Sequence, residues 1–277
     1  MKRGIQAAST GILVLLIFQI SQMALKAGAQ AAFFYAAPSR MIRLMKNYQS
    51  KHVRRTLNKY PLSRFEVEIS IGHTLELVGI VDPYELLEQM IEKESINRDE
   101  RFPYWAELWP SSLGLARWFC TANIAPAPQR VLELGCGLGL LGIVLARLGW
   151  WVEATDFVED ALIFTTYNAL KNQVAGRHQV AYLDWRNPVG ETCEFMVAAD
   201  VAYEKKNHPH LARVLRHRLA PGGWFYLADP RRPTARGFCE LLESRGYSHQ
   251  IDSCRTKWKS LEHAIDIHIF QKPEVPI

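Results

Sequence analysis

Arg130-Val131-Leu132-Glu133-Leu134-Gly135-Cys136-Gly137-Leu138-Gly139-Leu140-Leu141-Gly142 decides the fold of this 277-residue chain. Val131 to Leu134 is a short apolar run broken by one acid, the pattern of a buried strand. Glycines follow, and Leu140 to Leu148 reads as a helix closed by Gly149. Strand, glycine loop and helix in that order open a βαβ unit. Such a unit holds its ligand at the carboxyl end of the strand.

Gly137 to Gly142 matches GxGxxG, the pattern of a dinucleotide site. The register argues against that ligand. In the dinucleotide fingerprint the first glycine closely follows the strand, and the helix start receives a pyrophosphate. Here Gly135 and Cys136 intervene, so counted from the strand the pattern is acid-x-Gly-x-Gly-x-Gly. Glu133, at the strand's end and aimed into the crevice, would repel a pyrophosphate and suits an ammonium. The methionine part of S-adenosylmethionine (SAM) carries one. Gly135, Gly137 and Gly139 let the backbone approach such a cofactor with no Cβ in the way. Asp156 ends the next strand and can accept hydrogen bonds from both ribose hydroxyls, a feature that NAD and SAM folds share. Asp184-Trp185 follows the strand after that. It is either a turn aspartate with a packing tryptophan, or an adenine clamp with Asp184 near the exocyclic amine and Trp185 beside the base.

Outward from the loop the alternation continues. Strands are expected at 151–155, 179–183, 195–199 and 224–228, and helices at 158–172, 208–219 and 234–245. Strands alternating with helices of this length make a parallel, doubly wound α/β sheet. Tyr247 to Ile251 and Ala264 to Phe270 follow with only a polar stretch between them, which suggests a terminal antiparallel hairpin. Upstream, Phe65 to Ile71 alternates as a half-buried strand, and Thr74 to Ile80 reads as its partner across Gly72-His73. Asp82-Pro83 then starts a helix whose apolar face is Leu86, Leu87, Met90 and Ile91. Three segments follow: a basic, apolar extension over 1–45, a hairpin-and-helix flank over 46–100, and the main domain over 101–277.

Residues 1–65 hold eleven of the 33 Lys and Arg and no acid, so the remainder carries 22 basic against 28 acidic residues. The basic character belongs to the extension, and no nucleic-acid partner is expected of the body. The five cysteines form no CxxC pair and their number is odd. A disulfide framework or a cysteine zinc site is not expected, and a reducing, cytoplasmic compartment fits. The opening Met1-Lys2-Arg3, the apolar run from Gly11 to Ile20 and Ala27-Gly28-Ala29 read as a secretory signal, an organelle-targeting segment, a membrane anchor through residues 11–37, or residues upstream of a true start near Met41 or Met45. His208-Pro209-His210 reads as a helix start rather than a metal site. Arg213, Arg216, His217 and Arg218 read as a solvated helix face. No metal is expected, and a monomer is.

With these pieces in place the chain resembles the seven-β-strand methyltransferases, and more narrowly the family 16 protein-lysine methyltransferases. The resemblance runs from about Phe65 to the end. It is carried by Pro103-Tyr104-Trp105-Ala106-Glu107-Leu108-Trp109-Pro110, by the Glu133 loop, and by Asp200-Val201-Ala202-Tyr203, which matches an Asp-x-x-Tyr motif after the fourth strand. Asp229-Pro230-Arg231-Arg232-Pro233 is similar to an Asp-Pro-Gly-Arg-Pro stretch in the family's electron-transfer-flavoprotein β-subunit lysine methyltransferase, with Arg231 in place of the glycine; Ser111-Ser112 likewise replaces a glycine pair. The resemblance implies a Rossmann-like seven-stranded sheet, SAM as cofactor, and lysine side chains of a protein as acceptors. Carried over by position, Trp109 contacts the cofactor, Glu133 the methionine part, Asp156 the ribose, and Asp184 with Trp185 the adenine. Asp200 and Tyr203 border the point of methyl transfer, Asp200 orienting the amine. The bland alternatives are an N-cap for Asp200 and a half-buried core ring for Tyr203. Arg231-Arg232 is a candidate for recognising an acidic protein. A small-molecule amine methyltransferase and a silent SAM-binding module remain as other readings.

Overall fold

The computed structural model describes residues 51–92, 103–122 and 129–274. The chain divides into two units, Met1–Arg55 and Thr56–Ile277. The extension over 1–45 lies outside the described residues, as do the side chains of Leu87, Met90 and Ile91. No helix among the described residues is long and apolar enough to cross a membrane.

After a short helix α1 (Lys51–Leu57), β1 (Leu62–Ser70) and β2 (His73–Ile80) pair antiparallel around Gly72. The alternation of Val67, Ile69, Leu75 and Leu77 puts their side chains inside, as a half-buried hairpin requires. Helix α2 (Pro83–Glu92) starts as expected, with Asp82 Oδ1 accepting from the Tyr84 and Glu85 amides at 2.9 and 3.1 Å. The hairpin shares a unit with the main sheet. It is stitched on by Asn168 and Asn172. Asn168 accepts from Val78 N and donates to Val78 O (2.8 and 3.0 Å), and Asn172 donates to Glu76 O (2.8 Å).

The main body runs α3 (Pro110–Thr121), β3 (Arg130–Leu134), α4 (Leu140–Arg147), β4 (Trp151–Asp156), α5 (Glu159–Lys171), β5 (His178–Tyr182), β6 (Cys193–Ala199), α6 (His208–Arg218), β7 (Leu219–Asp229), α7 (Pro233–Glu243), β8 (Ser248–Trp258) and β9 (Leu261–Gln271). The seven strands lie in the order β5-β4-β3-β6-β7-β9-β8, parallel from β5 through β7 and antiparallel from β7 through β8. Helices α3, α4 and α5 cover one face, and α6 and α7 the other. The central strands are apolar on both sides because both sides are covered. The order reverses at β3 and β6, so the switch-point crevice opens between the ends of those two strands.

The expected elements are present, with three differences. Pro221-Gly222-Gly223 is a bulge inside β7 and not a break: the register jumps from Cys193↔Leu219 to Phe195↔Trp224. The polar stretch after Ile251 continues the strand, and β8 turns straight into β9 at Lys259-Ser260. It tolerates polar residues because β8 is an edge strand, and Arg255 reaches across to Glu262 at 3.2 Å. Arg218 is not on a solvated face. It is 3% exposed, donating to the carbonyls of Glu191 and Val189 and pairing with Glu153 at 3.3 Å.

Candidate active site

A cavity of ≈ 270 Å³ opens at the carboxyl ends of β3, β4 and β6. It is lined by Trp109, Glu133, Gly135, Gly137, Asp156, Asp184, Trp185, Asp200 and Tyr203, residues singled out from regions of sequence far apart. Gly139 stands behind the wall as the residue preceding α4. Its φ of 86° is one that only glycine adopts cheaply, and a Cβ there would meet Thr165 Cγ2 at 2.8 Å.

Glu133 differs in one respect from its sequence reading. It forms part of the wall but is only 3% exposed, because its carboxyl turns beneath α4. There the Gly142 amide hydrogen-bonds it, while burial and nearby Asp156 push its pKa up to about 8. A Cβ at Gly142 would collide with that carboxyl, which is why the helix carries glycine at this turn. Glu133 Oε2 has no hydrogen-bond partner. His178 Nε2, likewise unpartnered, faces the same spot over Gly142.

Asp156 accepts from the Gly137 amide (3.1 Å, Oδ2) and from Val158 N (2.9 Å, Oδ1), so it fixes the shape of the glycine loop. Asp184 accepts from Arg186 N and Nε, both at 2.9 Å, and the Arg186 guanidinium holds it below the usual carboxylate range. Asp184 is thus a turn aspartate, as one reading had it, and it also lines the cavity. Trp185 similarly lines the cavity while packing on the core under α6.

The strand-end pair is the most constrained part. Asp200 has a φ of 57°, a left-handed conformation that aspartate enters more readily than most residues but still at a cost relative to glycine. It caps no helix, since the next turn, Lys205–Asn207, begins after Glu204. Its side chain is 2% exposed and is gripped by Arg232, whose Nε and Nη2 donate to Oδ1 and Oδ2 at 2.6 and 3.1 Å. The Arg232 amide in turn donates to Asp229 Oδ1 at 2.6 Å. Burial raises the pKa of Asp229 to about 6, with the Asp200 charge adding to the shift. The Arg232 guanidinium also lies over the Trp109 ring, 5.6 Å from its centre. Tyr203 meets Tyr104 edge-on at 5.5 Å, and the Trp109 indole N–H donates to Tyr104 O at 2.9 Å. Arg232 and Tyr104 are residues to which the sequence reading gave no role in this site. Arg232 had been a candidate for recognising an acidic partner, and in the fold it serves the chain's own Asp200. Arg231 pairs with Asp266 at 3.0 Å. His208 begins α6 as expected, buried, with Nε2 3.1 Å from Ala202 O.

A family model described as lysine methyltransferase matches residues 92–245. The chain belongs to the lysine methyltransferase family. SAM is the cofactor of this family member. It is 31% identical over 140 residues to the EEF1A lysine methyltransferase 3 of Mus musculus, an alignment covering 49% of this chain and 60% of that one. To the protein N-lysine methyltransferase METTL21A of Danio rerio it is 35% identical over 120 residues, 40% of this chain and 54% of the relative. To a ribosomal protein L11 methyltransferase of Methylococcus capsulatus it is 32% identical over 154 residues, 55% and 50% of the two chains. The chain thus spans 50–60% of the length of these relatives. The N-methyltransferase NodS from Bradyrhizobium japonicum, solved with S-adenosyl-L-homocysteine, aligns at a TM-score of 0.49 and 18% identity, over 67% of this chain and 98% of its own.

The cavity fits a SAM molecule. Its wall is bare backbone along Gly135 and Gly137, and the acidic residues Glu133 and Asp156 stand beside that backbone at the strand ends.

Proposed function

We propose that this chain methylates the ε-amine of lysine side chains in a protein substrate. The observation that carries the proposal is Asp200, held at the cavity wall in a strained conformation by a two-pronged Arg232 contact, next to the Tyr203 and Tyr104 rings. Strain of this kind persists only where the surroundings enforce it, and it concentrates where geometry serves chemistry.

The cofactor supplies a sulfonium methyl, so the displacement already has a good leaving group. The protein's work is to position the amine and exclude water. Glu133, Asp156, and Asp184 with Trp185 hold the methionine, ribose and adenine parts. Trp109 covers the cofactor. Tyr104, Trp109 and Tyr203 form an aromatic rim that favours a passing ammonium by cation–π attraction. Once the amine has lost its proton to bulk water at the cavity mouth, Asp200 accepts a hydrogen bond from it and turns its lone pair inward. Arg232 balances the Asp200 charge, so the carboxylate orients the amine without trapping its ammonium form. The chain acts in a reducing compartment, a reading supported by its five unpaired cysteines.

The test is incubation of the purified chain and labelled SAM with cell extract. Label in a protein band, sensitive to Asp200→Ala, is the expected result. Absence of SAM binding by calorimetry, label confined to small molecules, or full activity of Asp200→Ala would overturn the proposal.

A further inference from the structure

On the sheet face covered by α7, away from the glycine loop, three metal-ligating side chains converge. Cys239 comes from α7, His249 from β8 and His268 from β9. The pairing His249↔Phe270 puts His249 on the same sheet face as Phe270 and His268, two residues apart on β9. His249 Nε2 lies 3.0 Å from His268 Nδ1, and Cys239 Sγ lies 3.6 Å from that same nitrogen. All three ligand atoms fall within 4.8 Å of one another. We propose that Cys239, His249 and His268 form a binding site for a zinc ion, which pins α7 to the β8–β9 hairpin.

Four observations carry this. First, tetrahedral zinc with Zn–S of about 2.3 Å and Zn–N of about 2.0 Å sets its ligand atoms about 3.6 Å (S to N) and about 3.3 Å (N to N) apart. The sulfur–nitrogen pair at 3.6 Å matches that spacing, the 3.0 Å nitrogen pair must open by a few tenths of an ångström, and Cys239 Sγ and His249 Nε2, within 4.8 Å of each other, complete the triangle. Second, a carboxylate stands behind a ligand. Glu243, one turn after Cys239 on α7, lies 2.6 Å from His249 Nδ1. It accepts a hydrogen bond from Nδ1–H, which holds the proton on Nδ1 and leaves Nε2 free as a ligand, the arrangement in which metal-bound histidines are held. Third, the surroundings are acidic, since Asp229, Glu240 and Glu243 bear on Cys239, and Asp266 and Glu243 on His268. Fourth, one thiolate with two imidazoles suits zinc, and three protein ligands leave one position for water.

Binding is balanced by one proton. The buried Cys239 thiol, pushed up to about 12 without metal, releases its proton to solvent as the sulfur–zinc bond forms. His268 is already neutral, its pKa lowered by burial and by His249. The competing arrangement is metal-free: Glu243, His249 and His268 form a hydrogen-bonded chain with the thiol at its end. The site bears on the active site through α7, which begins immediately after Arg232, the residue that grips Asp200.

Cobalt(II) is the probe, added to purified full-length chain stripped with a chelator. The expected result is one equivalent bound, with a thiolate-to-cobalt charge-transfer band in the near ultraviolet and the intense visible bands of tetrahedral cobalt, both displaced by zinc. Cys239→Ser should abolish the charge-transfer band while Cys254→Ser keeps it. Glu243→Gln should weaken binding about 10- to 100-fold. Should Cys239→Ser not fold, His249→Gln, which removes a half-buried ligand, must lose stoichiometric binding in its place. Weak octahedral spectra without the charge-transfer band, or a band that survives in Cys239→Ser, would overturn the proposal and leave the hydrogen-bonded chain. None of these readouts depends on methyl transfer, so the outcome is separable from that of the proposed activity.

Discussion

Replacing Glu133 with glutamine should make the cofactor-free protein more stable while weakening its hold on SAM. Buried under α4, the carboxyl has its pKa raised from 4.5 to about 8. The folded protein therefore keeps a proton that the unfolded chain gives up above about pH 4.5. Linkage makes the wild type lose stability as pH rises between those two values, by about 1.4 kcal/mol for each unit of the window, or at most about 5 kcal/mol above pH 8. At pH 7 the cost is about 3 kcal/mol by the same relation. Glutamine has no such cost. Its carbonyl can still accept from Gly142, and its amide brings a donor toward the unpartnered His178 Nε2, which burial keeps neutral. Urea denaturation at pH 5, 7 and 8.5 should give two curves that diverge with pH, Glu133→Gln being the more stable by several kcal/mol at the highest. Calorimetry with SAM at pH 8.5, where the wild-type carboxyl is ionised, should show the reverse order, because the variant offers the ammonium no negative charge. Parallel pH profiles, with the variant less stable throughout, would show that the carboxyl is ionised in its pocket and would refute the reasoning.

Other substitutions test other parts. Arg232→Met strands the buried Asp200 carboxylate, which costs about 3–5 kcal/mol for a buried pair and toward the lower figure here because Arg232 is partly exposed; an unchanged urea midpoint would contradict the clamp. Asn168→Ala leaves Val78 N, Val78 O and Leu138 O without partners, at about 1–3 kcal/mol each. Amide exchange at Val78 should then approach that of an exposed strand, and protection retained there would show that the hairpin is held by other means. Gly139→Ala forces a left-handed alanine, at about 1–2 kcal/mol, and adds the collision with Thr165; adding Thr165→Ala should recover only the second part in denaturation.

The βαβ frame was legible because its signals are local: the apolar run at Val131, the glycines, and Asp82 as a cap. The cavity was legible for the same reason, since strand-end residues converge by topology alone. What escaped were facts of partnership. Nothing in the series Arg213 to Arg218 marks Arg218 as the buried one; that follows from carbonyls at Val189 and Glu191 coming within its reach. Arg232 read as a surface charge until the fold set Asp200 beside it. Cys239, His249 and His268 share no spacing motif, because their proximity is made by a helix crossing a hairpin. The long β8 was missed because an edge strand needs no apolar alternation to be paired along one side.

Asn168 has a consequence for how such a protein can diverge. One amide holds both the hairpin strand and, through Leu138 O at 2.9 Å, the cofactor loop. The stretch shared with the family, residues 92–245, contains Asn168 but neither the hairpin nor β8 and β9. The matched portion is therefore smaller than the portion that must fold together. A gene trimmed to the recognisable family boundary would encode the loop while discarding the strand it is fastened to. Mutations drifting in the hairpin, remote from any reacting atom, would be transmitted to the cofactor loop through this side chain.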